Sequence, residues 1–352
     1  MKKLYEVDHL PVFQNKMYET PEAAIACPKG DVVLVQNTKS GLIFNSAFDP
    51  SLLQYDSSYQ NEQACSPFFL KHLHEVGRII QRHCGGMHLV EIGCGKGFFL
   101  EYITSLGFQI TGFDPAYEGN NPSIKKTYYG PGFSVGADGI ILRHVLEHVA
   151  NPVDFLLQIQ AVAGDAMIYI EVPCFDWICR KRAWFDIFYE HVNYFRGDDF
   201  QRLFGRIHEA GHLFGGQYLY VLADIASLRE PLFEGEAICF PNDFLKGLFS
   251  ASQKVKESTE DANAIWGGSS KGVIFSLLME RMGAKIKNIL DINPSKQGKY
   301  LGGTGLRVSP PEDILKSLPD GANIFIMNSN YAEEIVEMAG DRFQYWRIDD
   351  DF

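Results

Sequence analysis

The chain lacks several features that would assign it to a broad class. No stretch approaches the roughly 18 consecutive apolar residues that cross a bilayer, and the first twenty residues are charged and mixed, without the apolar segment of a secretion signal. No basic run exceeds Arg180-Lys181-Arg182. With 32 basic against 44 acidic side chains and a net charge of −12, the molecule would repel a phosphate backbone or an anionic lipid surface. No Cys-x-x-Cys pair occurs. The seven cysteines, at positions 27, 65, 84, 94, 174, 179 and 239, are odd in number and scattered, which argues against disulfides and against a cysteine-built zinc site. These absences exclude nucleic acid and membrane as partners and predict a cytoplasmic protein. They leave self-association open.

What is present is a core-forming chain of 352 residues, 46% of them apolar, enough for two or three domains. Residues 1–52 contain two strand-like runs, 31–36 and 41–44, around the turn-prone Asn37-Thr38-Lys39-Ser40, and read as a small β-rich module. Residues 53–226 alternate helix and short apolar strand: helices at 68–83, 97–106 and about 153–162, strands at 88–92, 109–113, 139–143 and 167–172. That alternation predicts an α/β fold, a parallel sheet with helices on both faces. A second, smaller α/β unit within 227–352 starts at Ala264-Ile265-Trp266, continues as a helix through Met282, and adds strands at 286–290, 324–327 and 345–348.

The segment His88-Leu89-Val90-Glu91-Ile92-Gly93-Cys94-Gly95-Lys96-Gly97 runs from a buried strand through glycines into a helix. Glycines there let the main chain approach a ligand closely. Asp114, 21 residues beyond Gly93, ends the next strand, where a βαβ unit places a carboxylate against ribose hydroxyls. These residues resemble the S-adenosylmethionine-dependent methyltransferases of Rossmann-like fold, whose first motif, hydrophobic-hydrophobic-Glu/Asp-x-Gly-x-Gly-x-Gly, is matched in full by Leu89 to Gly97. The resemblance implies S-adenosyl-L-methionine as cofactor, held by Glu91, Gly93, Gly95, Gly97 and Asp114, with Arg143 nearby and Glu91 at the amino-acid end.

Two later segments carry candidates for the methyl acceptor's side. Leu142-Arg143-His144-Val145-Leu146-Glu147-His148-Val149 follows a strand at the carboxyl end of the sheet, where such folds bind ligands. Phe188-Tyr189-Glu190-His191-Val192-Asn193-Tyr194-Phe195 combines an imidazole that titrates near neutrality with an adjacent carboxylate. His148 also reads as a loop histidine bonded to backbone, and Tyr194 and Phe195 as core aromatics at a helix end. Tyr59, Cys65-Ser66-Pro67-Phe68, Leu146-Glu147-His148, this second segment and Phe214-Gly215-Gly216-Gln217-Tyr218 follow in an order similar to that of three-domain C-methyltransferases acting on nucleotide-linked keto-deoxysugars. Ile265–Gly272, Leu290–Gly298 and Gly303-Thr304-Gly305 look like that family's C-terminal domain. The resemblance divides the chain at 1–52, 53–226 and 227–352 and implies a small-molecule substrate, nucleotide-linked. It makes His191 the base, oriented by Glu190, with His148 and Tyr189 at the acceptor.

Two departures stand out. The family's N-terminal module binds zinc through two Cys-x-x-Cys pairs. Here the second would fall on Asn37 and Ser40, and no cysteine precedes Leu10, so no metal is expected. The family also tends to carry a tyrosine two residues before the glutamate, where this chain has Phe188, its tyrosine being Tyr189. In the last unit, Gly267 to Gly272 with Asp291 imitates a dinucleotide fingerprint, but Ser269 stands where glycine is needed and Lys271-Gly272 is in the wrong order for a phosphate loop. Ser269, Ser270 and Lys271 are candidate anion contacts, and Lys271, Arg143 and Arg180 the cations that would receive a diphosphate against the −12 field. C-methylation is the favoured chemistry. O- or N-methylation of another precursor and a non-catalytic assembly partner are the alternatives.

Overall fold

The computed structural model describes residues 1–53, 66–133 and 136–352. Tyr59 and Cys65, invoked above, lie outside the described residues. The N-terminal unit comprises β1 (Lys2–Pro11), β2 (Met17–Tyr18), α1 (Pro21–Ile25), β3 (Lys29–Gln36) and β4 (Ile43–Asn45). Strand β1 escapes sequence reading because its pairing with β3 shifts register between Lys3 and Tyr5 and again between Val7 and Leu10. Such irregularities erase the two-residue period by which a half-exposed strand is recognised. At the turn where the related family has its second cysteine pair, the Asn37 side chain instead accepts the backbone N–H groups of Lys39 (2.8 Å) and Ser40 (3.3 Å). A local side-chain turn thus closes the loop.

The core contains α2 (Pro67–Cys84), β5 (His88–Ile92), α3 (Phe98–Ser105), β6 (Gln109–Phe113), β7 (Ile124–Lys125), β8 (Gly139–Arg143), α4 (Pro152–Ala163), β9 (Met167–Pro173), α5 (Phe175–Lys181), β10 (Asn193–Tyr194), α6 (Gly197–Leu203), β11 (Ile207–Leu213) and β12 (Tyr218–Asp224). Seven strands form one sheet in the order β11-β12-β9-β8-β5-β6-β7. The sheet is parallel from β9 to β7, but β12 runs antiparallel to both β9 and β11. The expectation of a parallel sheet is corrected at this edge. Only residues 214–217 separate β11 from β12, and a connection that short makes a hairpin, whereas parallel neighbours need a crossover of a dozen residues or more. Helix α2 buries Leu73, Val76, Ile79 and Ile80 on one face, as a helical period requires.

The last unit holds α7 (Lys246–Lys256), β13 (Asn263–Trp266), α8 (Lys271–Arg281), β14 (Asn288–Leu290), β15 (Tyr300–Leu301), β16 (Val308–Ser309), α9 (Pro311–Ser317), β17 (Asn323–Ile326), α10 (Ala332–Ala339) and β18 (Gln344–Arg347). Its five-stranded sheet, β16-β14-β13-β17-β18, is parallel throughout.

The three units interlock. Strand β10 of the core completes the N-terminal sheet by pairing with β4, and β15 of the last unit pairs with β2 of the first. Glu334 of α10 caps helix α2: its carboxylate accepts the Phe68 N–H at 2.6 Å and the Ser66 hydroxyl at 2.9 Å. A carboxylate at a helix N-terminus satisfies an otherwise unpaired donor and complements the helix dipole. Replacing Glu334 by Ala should therefore cost about 1–2 kcal/mol, visible as a lower urea midpoint. An unchanged midpoint would show that the cap contributes nothing.

Candidate active site

Strand β5 buries its apolar residues and delivers Glu91 and the glycine turn to the carboxyl end of the sheet. Gly93 donates its N–H to Phe113 O at 2.7 Å. It has φ +73°, and a Cβ there would lie 2.5 Å from Val145 Cγ2. Only glycine fits both the left-handed backbone and the close approach of the loop after β8. Gly95 (φ +54°) and Gly97 (φ +85°) complete the turn, Gly97 standing just before α3. Asp114 follows β6, accepting the N–H of Gly95 and of Ala116, each at 2.8 Å. The acid and the glycine loop thus hold one another at the mouth of a cavity of about 1230 Å³, lined by Glu91, Gly93, Gly95, Asp114, Arg143, His148 and His191 among others.

Glu91 is 3% exposed, and its Oε2 has no hydrogen-bond partner among the described residues. Burial pushes its carboxyl up to about 7, against the opposing pull of Arg143. A buried carboxylate oxygen without a donor is costly in isolation. It suits the amino group of an amino-acid moiety, and the open glycine main chain and Asp114 suit the rest of an adenosyl cofactor.

Beneath the cavity floor is a charged cluster that sequence reasoning missed. Glu171 of β9, fully buried, accepts from Arg143 Nη2 (3.1 Å) and Tyr169 OH (2.8 Å), and lies 3.0 Å from both His72 Nε2 and His144 Nε2. Burial alone would raise its carboxyl, but Arg143, His72 and His144 hold it well below the usual range. Burial likewise depresses His144, yet its contacts with Glu147 and Glu171 outweigh this and lift it to about 9. His144 also adopts φ +53°, an uncommon backbone state for a non-glycine residue. The available signal was a glutamate inside an otherwise apolar strand, since such residues are buried only when paired. Arg143 therefore braces the floor through Glu171 and through its 4.3 Å approach to the Phe99 ring, as well as lining the cavity.

On the acceptor side, residues 188–192 form an irregular bend leading into β10, not the end of a helix. The bend brings His191 (6% exposed) to the cavity with its ring centroid 4.9 Å from that of His148. Burial, aided by His148 and His144, holds His191 well below its ordinary range, so it is neutral at pH 7. Glu190 is fully buried behind the wall. Its carbonyl lies 3.0 Å from His148 Nδ1, and its carboxylate accepts the Gln14 N–H at 2.7 Å and stands 4.0 Å from His148 Nδ1. The side chain seen against the His191 ring is the Gln14 amide, with its nitrogen 3.2 Å from Nε2. Tyr189 does not reach the cavity: its hydroxyl accepts the Asp49 N–H (2.8 Å) and donates to Asp49 O (3.2 Å), and its ring packs on Gly30 and Phe48. The expectation that Tyr189 stands at the acceptor is corrected: Tyr189 and Glu190 form a turn, Phe188 and His191 on either side of it line the cavity, and the Tyr189 hydroxyl is held by Asp49.

Glu147, His148 and His191 place one donor atom each within 4.8 Å of one another, residue types that can bind a divalent cation. Two of the ring nitrogens, however, already face Glu190 O and Gln14 Nε2. Of the cations expected to receive an anion, Lys271 lines the cavity and pairs with Asp186 at 3.3 Å, whereas Arg180 is exposed outside it. Lys296, which was not anticipated, bridges Ser269 Oγ (2.7 Å) and Asp291 Oδ2 (3.2 Å) across the glycine loop of the last unit.

Fold, glycine loop and acid together define an S-adenosylmethionine-dependent methyltransferase. Residues 62–210 match the family described as methyltransferase domain, and residues 243–346 match the C-methyltransferase C-terminal domain. It is similar to the C-methyltransferase NovU of Streptomyces niveus, with 24% identity over 292 residues, covering 71% of this chain and 68% of that protein. Among solved structures, a methyltransferase from Archaeoglobus fulgidus aligns at 17% identity over 45% of this chain and 100% of its own (TM-score 0.31). Magnesium protoporphyrin IX methyltransferase of Synechocystis, solved with S-adenosylhomocysteine, aligns at 13% identity over 45% and 83% (TM-score 0.35).

Proposed function

We propose that this enzyme methylates a carbon atom next to a carbonyl in a nucleotide-linked keto-sugar, in a cleft walled by residues 1–52, 53–226 and 227–352. The observation that carries this reading is a buried, neutral histidine at the cavity wall. The cofactor supplies an electrophilic methyl group. The chain has to provide a nucleophilic carbon, which requires removing a proton.

His191 is suited to accept that proton because burial keeps the ring neutral at pH 7. His148, whose Nδ1–H donates to Glu190 O, sets its ring edge-on to His191 at 4.9 Å and so fixes this side of the pocket. The Phe188 ring, 5.0 Å from that of His191, keeps this side of the pocket apolar. Gly93, Gly95, Glu91 and Asp114 hold the cofactor so that the methyl and the carbon meet at short range, which supplies several kcal/mol of the barrier. On the far wall, Lys271, Lys296 and Ser269 are polar partners for a diphosphate. The cytoplasm is the proposed compartment, in keeping with the free thiols of the described cysteines.

The test uses a nucleoside-diphosphate-linked keto-deoxysugar in D₂O. With S-adenosylhomocysteine bound, the enzyme should exchange the proton next to the carbonyl for deuterium. With S-adenosylmethionine, the product's NMR spectrum should show a methyl coupled within the carbon skeleton. A methoxy signal would assign O-methylation instead, and absence of both exchange and methylation would remove the keto-sugar from consideration.

A further inference from the structure

Gln14, between β1 and β2, is 8% exposed and makes contacts in three directions. Its backbone N–H donates to Glu190 Oε1 at 2.7 Å, its carbonyl accepts the Ser270 N–H at 2.8 Å, and its side-chain nitrogen lies 3.2 Å from His191 Nε2. The neighbouring Asn15 accepts the Ser270 hydroxyl at 2.6 Å. The side-chain oxygen of Gln14 is buried and has no partner among the described residues, and the residue lines the cavity. A residue of the N-terminal unit thus touches the base of the core and the loop before α8, with half of its amide left unused.

We infer that Gln14 is a positioning residue of the acceptor site, whose amide nitrogen holds His191 with Nε2 unprotonated and whose amide oxygen is left to receive a hydroxyl donor of the acceptor. An amide N–H can only donate, so the nitrogen that faces it must carry the electron pair and Nδ1 the proton. That selects the resting tautomer of His191, and removal of the acceptor's proton then requires the Gln14 N–H to release the Nε2 electron pair. The unpaired oxygen costs free energy in the empty site and is recovered only by a ligand with an O–H or N–H at that point. The acceptor is therefore hydroxylated near the carbon that reacts, a condition a sugar meets and a purely apolar ketone does not. The titratable groups near His191 are Glu147 and His148 on the Leu146–His148 turn and His144 after β8, while the carboxylate of Glu190 on its own segment turns to Gln14 N and His148.

This inference rests on His191 as the base, and its test is independent of turnover. With the full chain labelled with ¹⁵N-histidine, and His191→Asn used to assign the signal, long-range ¹H–¹⁵N spectra should show wild-type His191 as the Nδ1–H tautomer. In Gln14→Ala, which keeps both backbone bonds, the ring should become a mixture of tautomers and its titration midpoint should move. In Gln14→Glu the midpoint should rise, because a carboxylate favours the imidazolium. With the keto-deoxysugar probe, Gln14→Ala should lower kcat about 10-fold and raise KM, and its pH profile should shift in step with the NMR midpoint. An Nε2–H tautomer in the wild type, or an unchanged ring in both variants, would overturn the inference even if deuterium exchange succeeds. Loss of exchange with the ring behaving as expected would instead overturn the reading of His191 as base.

Discussion

Replacement of His191 by Ala should lower the rate of methyl transfer by about 10²-fold or more and leave the affinity for S-adenosylhomocysteine, measured by calorimetry, as it was. The two observables should separate because the proposed cofactor contacts, the glycine loop, Glu91 and Asp114, do not include His191. Deuterium exchange next to the carbonyl should fall in parallel, since it reads proton removal without the later methyl step. A variant that still exchanges and methylates at the wild-type rate would remove His191 from the mechanism. There is also a stability consequence. The folded-state pKa of His191 is depressed, so the unfolded chain binds a proton first as pH falls below about 6.5, and this residue weakens the fold on that limb. His191→Ala should therefore unfold at a lower pH than the wild type.

The second large effect concerns Glu91. Its carboxyl is raised to about 7 by burial, while an ammonium ligand needs it ionised. The ionised fraction of a group with that pKa falls about tenfold between pH 8 and pH 6, and S-adenosylhomocysteine affinity should fall with it as binding releases a proton. Glu91→Gln should abolish that pH dependence and weaken binding at pH 8 by roughly 10- to 100-fold, the worth of a hydrogen bond to a charged group. For the unliganded protein the sign reverses. A carboxyl whose folded pKa is raised stabilises the fold fully below its unfolded value near 4.5, and that stabilisation is lost as pH rises toward 7. The Gln variant should thus be more stable than the wild type at pH 8 when no ligand is present. Equal pH slopes for the two proteins would show that Glu91 does not face the amino group.

The strand, glycine turn and helix of the proposed cofactor loop were legible in the residues because they are local. Strand, glycine turn and helix are contiguous from His88 to Ser105, and Asp114 is one βαβ step further on, so chain geometry alone brings them together. The acceptor half was legible only as residue types. Adjacent residues in the 188–192 bend point in different directions, and no period indicates which, so His191 and Phe188 reach the cavity while Tyr189 turns to Asp49. Glu190, read as orienting His191, has its carboxylate against Gln14 N and near His148.

By itself the sequence determined the α/β class, the methyl-donor loop and the order of the units, since all three are set by local periodicity and by where glycine alone is tolerated. The tertiary structure decided the rest. It inserted β10 into the N-terminal sheet, capped α2 with Glu334 from 268 residues beyond Ser66, assembled Glu171 with His72 and His144, and set Gln14 against His191 from 177 positions away. These contacts depend on buried polar groups finding partners across units, and a partner chosen by desolvation in three dimensions leaves no spacing in the chain from which to read it.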